Sequence, residues 1–120
     1  MLEPALPAAL AQRRTVAISL IGELDVELGA ILAQTLAELA GRDCDVVVDF
    51  DRVASVHGTG RAAASRTLAQ HHLAGVSVVA STRKRLVRAA LAAARVPLAP
   101  RDAEIGRVER HVMIAHHSAS

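Results

Sequence analysis

An α/β fold is predicted for this chain of 120 residues, and three observations predict it. Apolar runs at 15–21, 45–50 and 76–80 have the period-two or continuous hydrophobicity of strands. Segments whose apolar residues recur every three or four positions lie between them as helices. Hydrophobic residues make up 52% of the chain but aromatic ones only 1%, so Ala, Val, Leu and Ile must build the core around the lone Phe50. Strands alternating with helices give a mixed sheet of four to five strands with helical crossovers packed against it. The length fits a single domain over 1–120, without internal repeat or linker.

Each element has its own local reason. Residues 1–12 contain Pro4 and Pro7 and read as an edge strand, where proline is tolerated. Over 15–21, Val16, Ile18 and Leu20 alternate with Ala17 and Ser19, and Gly22 ends the strand. Leu28, Ile31, Leu32, Thr35, Leu36 and Leu39 then set a helix over 26–40, with Asp25 as its N-cap and Gly41 as its stop. Asp45–Phe50 is almost continuously apolar, as expected of a central strand buried on both faces, and Cys44 before it reads as a small buried residue. An alanine-rich helix follows over 60–72, then the strand 76–80. Ser81 or Thr82 caps a helix that buries Leu86, Val87, Ala90, Leu91 and Ala94 and is broken by Pro97. Leu98 supplies a short strand. Asp102 caps a last helix with Ile105, Val108 and Val112 inward, and 115–120 reads as a frayed tail.

Composition also narrows function. With so few aromatic side chains there is no stacking platform for single-stranded nucleic acid. The net charge of +2 is mild, and its one dense cluster, Arg83-Lys84-Arg85 with Arg88, reads as the solvated face of a helix more readily than as a contact for phosphate or an acidic partner. The N-terminal segment lacks a signal-peptide pattern and no apolar run is long enough to span a bilayer, so a cytoplasmic protein without membrane insertion is expected. One cysteine excludes a disulfide framework. The histidine pairs 71–72 and 116–117 are adjacent in sequence and cannot readily chelate one metal ion.

The most informative stretch is Val46–Phe50 leading to His57-Gly58-Thr59-Gly60-Arg61, a strand emptying into a glycine-bracketed hydroxyl at a helix start. Such a helix start favours an anion. A dinucleotide site is not supported, because the acidic residue expected at the end of the next strand is absent from Val78, Val79 and Ala80. Thr59, His57 and Asp49 or Asp51 are the residue types of a nucleophile, base and acid, but threonine is a poor nucleophile and no enzyme activity is expected. No cofactor is expected.

Together these pieces resemble a STAS domain, the fold of anti-sigma factor antagonists. Gly22-Glu23-Leu24-Asp25 is similar to that family's Gly-Glu-Leu-Asp motif, Val46–Asp49 with Val53 and Val56 to its central strand and following loop, and Gly75–Ala80 to the glycine-led strand before its third helix. The resemblance runs from about Thr15 to Glu109. In the antagonists, the loop before the second helix reads roughly Asp, Ser, Ser or Thr, Gly, Leu, and a partner kinase phosphorylates the first hydroxyl. Here Gly58 holds that position, His57 replaces the acid and Arg61 the leucine, which leaves Thr59 as the candidate phosphoacceptor.

The resemblance implies a non-enzymatic regulator of transcription that binds an anti-sigma factor of the histidine-kinase-like ATPase type. Glu23, Asp25, Ser55, His57, Gly58, Thr59, Gly60 and Arg61 would form the contact surface. It implies no direct nucleic-acid binding and leaves a homodimer open. The alternatives are a STAS subunit of a lipid-transport ABC complex, or a stand-alone sensor of an anion or small ligand.

Overall fold

A computed structural model of the chain describes residues 14–40, 42, 44–73, 77–99 and 108–116. The long strand β1 (Arg14–Leu24) runs into helix α1 (Val26–Leu39), which returns the chain to β2 (Cys44–Asp49). A short turn leads to β3 (Val53–Val56), then to α2 (Gly58–Leu73), β4 (Val78–Ser81), α3 (Arg85–Ala93) and β5 (Val108–His116). The result is an α/β sheet of five strands with helical crossovers.

β1 organises the sheet. Its first half pairs with β2 from Arg14↔Cys44 to Ser19↔Asp49, and its last residues pair with β3 from Gly22↔Val53 to Leu24↔Val56. The opposite edge of β1 pairs with β5 from Thr15↔Val108 to Gly22↔His116. β4 lies on the far side of β2. Every one of these pairings is parallel. Val46, Val47 and Val48 are therefore central, and all three are buried although successive side chains point to opposite faces. Register aligns Val16, Val46 and Val78, and two residues on Ile18, Val48 and Ala80, as rows of one core. Leu28, Leu32, Leu36 and Leu39 of α1, Ala64 and Leu68 of α2, and Leu91 of α3 pack into that core with Phe50.

Several expectations are corrected. Residues Val108–His116 form a parallel strand rather than the end of a helix, so Ala115 and His116 are ordered in the sheet and not frayed. The proposed cap Asp102, Ile105 and the edge strand in 1–12 lie outside the described residues. Val53–Val56 is a strand where a loop was expected, and α2 begins at Gly58 instead of Gly60. β1 continues through Gly22, which takes φ 101° beside a register shift, to end at Leu24. The N-cap of α3 is Lys84, without a side-chain cap bond: Ser81 stays in β4, and the Thr82 hydroxyl, which donates to Asp51 Oδ1 at 3.0 Å, accepts from the Lys84 amide at 3.1 Å and not from an amide inside the helix. Ile31 (39% exposed) and Leu86 (84%) face outward, as does Ala94. Leu98 makes one isolated bridge to Ala80.

Candidate functional site

The eight predicted contact residues come together at the carboxyl ends of β1 and β3. Gly22 is followed by a break in register, after which Glu23 pairs with Ser55 and Leu24 with Val56. Leu24 is buried and anchors the turn. Asp25 then caps α1, its Oδ1 accepting from the Leu28 amide at 2.9 Å. That bond, more than any other influence, holds the Asp25 carboxyl below its ordinary value; partial burial opposes it, and His116 lowers it further.

α2 starts against this turn. The His57 amide donates to the Leu24 carbonyl at 2.9 Å, and the His57 carbonyl accepts from the Arg61 amide at 2.9 Å. Gly60 allows the approach: a Cβ there would lie 2.3 Å from Leu24 O and 2.4 Å from Asp25 Cα. Gly58 faces open space, and its φ is not positive. Ser55, His57, Gly58, Thr59 and Arg61 are all exposed, while Glu23 and Asp25 are partly covered. The His57 ring has Glu23 Oε1 3.9 Å away. Asp49 and Asp51, weighed above as acids for that histidine, serve the neighbouring turns instead. Asp49 Oδ1 accepts from the Asp51 amide at 2.8 Å, and Asp51 Oδ1 accepts from the Thr82 hydroxyl and the Arg83 amide.

Two features were missed. His116, at the end of β5, places Nε2 3.0 Å from Asp25 Oδ2 and 3.3 Å from Glu27 Oε2, so the last described strand closes over the α1 start. Its signal was the period-two pattern of Val112 and Ile114. The second is a groove of about 540 Å³ between β3 and α3, with Val53, Val56, Val87 and Leu91 in its walls and Arg61, Lys84 and Arg85 among its lining residues. The Lys84 ammonium donates to the Val53 carbonyl and ties α3 to β3 across it. No pattern along the sequence announces a groove made by elements so far apart.

No family model matches the chain, and neither a curated protein nor a solved structure is significantly similar to it. No described helix is long and apolar enough to cross a membrane. Among the described residues, no group of three or more His, Cys, Asp and Glu side chains is arranged to hold a metal ion.

Proposed function

We propose that this chain is a non-enzymatic, cytoplasmic regulatory protein that docks a protein partner on the β3–α2 edge, in the manner of an atypical anti-sigma factor antagonist. The observation that carries the reading is the exposed run Ser55–Thr59 with Arg61, held on a backbone fixed to Leu24 and Asp25 and bordered by the apolar groove. Val56 (42% exposed) and Leu86 (84%) stand beside it as apolar surface of the kind that partners cover. The STAS resemblance supplies the partner class, an anti-sigma factor of the histidine-kinase-like ATPase type. Thr59, in the first turn of α2, is the hydroxyl that such a partner would phosphorylate if a switch operates.

Affinity capture from the native cell followed by mass spectrometry identifies the partner, and calorimetry with Arg61→Glu then tests the surface. The variant should bind at least about tenfold more weakly, as loss of a charged interface contact commonly does, with unchanged folding. Equal affinity would remove this edge from the interface. Incubation with the partner and ATP should leave the intact mass unchanged, because Gly58 carries no hydroxyl at the acceptor position. A gain of about 80 Da, one phosphate, that is lost in Thr59→Ala would show that the switch has moved by one residue.

A further inference from the structure

We propose that the concavity lined by Arg83, Arg85 and Arg88 is a binding site for a phosphate monoester. It measures about 420 Å³, and its other described lining residues are small or apolar: Ala89, Ala92 and Leu98. Three arginines therefore line one hollow, and none of its described lining residues carries a carboxylate. Among the described residues none of the three arginines is in an ion pair, which is an unusual waste for side chains that bind oxyanions in a two-pronged fork.

The strongest sign is at Arg88. The residue is half-buried, and its Nη1 is fully buried without any hydrogen-bond partner. A buried N–H of a permanent cation left unpaired is costly, and a turn of the guanidinium toward the hollow would let an oxyanion bound there remove that cost. Asp51, the carboxylate that reaches this loop, is already taken by the Thr82 hydroxyl and the Arg83 amide, so it pins the arginine-bearing segment without neutralising it.

The place suits a ligand as well. The hollow runs along α3 from Arg83, in the connection that follows the carboxyl end of the parallel strand β4, the end at which open α/β sheets hold their ligands. A dianionic ester suits three cations better than a carboxylate does, and the alanine and leucine floor favours a short apolar group on the ester. Read along the chain, the cluster is a solvated helix face. Folded, Arg88 is turned inward.

The full chain would be titrated calorimetrically with phenyl phosphate at physiological ionic strength, above the ester's second pKa of about 6, with phenol as the uncharged control. Saturable one-to-one binding is expected, weakened at least about tenfold in Arg88→Gln, the scale of one lost charge-assisted bond. It should be unchanged in Arg66→Gln, an exposed arginine of α2 outside the hollow. If circular dichroism shows Arg88→Gln unfolded, Arg85→Gln takes its place, since Arg85 is exposed. Co-sedimentation with phosphatidic acid vesicles, against phosphatidylcholine vesicles, separates a lipid headgroup from a soluble ester. Binding in either arm that the arginine variant loses supports the site. Silence in both arms, equal binding by the arginine variant, or equal binding of phenol overturns it.

Discussion

Gly60 is the residue on which the β3–α2 edge is folded, because the start of α2 rests directly on the Leu24 carbonyl and the Asp25 Cα. Gly60→Ala pushes a methyl group into backbone that cannot rotate away. It should destabilise by about 1–3 kcal/mol, the usual cost of overpacking, read by denaturant unfolding. Gly58→Ser, two residues earlier, meets nothing within 4 Å and should leave the unfolding midpoint essentially unmoved. If both variants behave alike, the close approach at Gly60 is not real. Asp25 makes a second prediction. Its carboxyl sits below the ordinary 3.8, so its stabilising effect is complete above that pH and is lost as pH falls through the lowered value. Asp25→Asn keeps a good capping residue but removes the charge, so it should flatten the acid limb of the stability profile below about pH 4. At this scale much was legible. Asp25 caps α1 as its chemistry suggests, whereas Gly22, read as a strand end, carries β1 onward through a positive φ to the buried Leu24. His116 was not legible, because its partners Asp25 and Glu27 are about ninety positions away in sequence.

Among the elements, α1 shows how far helical periodicity reaches. Leu28, Leu32, Leu36 and Leu39 form the buried stripe, whereas Ile31 shares the spacing but sits at its margin, half outside. Spacing gives the direction of a stripe and leaves its width to whatever packs on it. Leu32→Ala should therefore cost about 2–5 kcal/mol and Ile31→Ala about 0.5 kcal/mol or less, a contrast that paired thermal melts can check. Leu91, buried in α3, should behave like Leu32. Helix α2 packs closely on α1 through small residues: a Cβ on Gly29 would come within 2.9 Å of Ala63 Cβ. β5 was misread for a definable reason. Val108 and Val112 are four apart and mimic a helix, but Val112 and Ile114 are two apart and β-branched, and the parallel pairing with β1 settled the choice. Tertiary pairing outweighs local spacing in a stretch this short.

At the scale of the whole molecule, everything hangs on β1, which touches β2, β3 and β5. The central position of the valine-rich β2 could be read from its unbroken hydrophobicity, since such a run is stable only when covered on both faces. Which strand would lie on the other side of β1 could not, as that depends on a chain segment closing from the far end. This arrangement has a mechanical consequence. β1 and β5 are parallel neighbours, in unbroken register from Val16↔Arg110 to Gly22↔His116, so tension applied at Arg14 and His116 draws the two strands along each other and strains these cross-links together. Tension applied at Arg14 and Val108 would instead peel the strands apart from one end, one bond after another. Single-molecule stretching should give a clearly higher rupture force for the first pair of anchors than for the second, forced unfolding being set by the barrier to opening rather than by equilibrium stability. Equal forces would mean that some other contact yields first. The pairing that closes the sheet is, by the same geometry, a clamp against being pulled lengthwise.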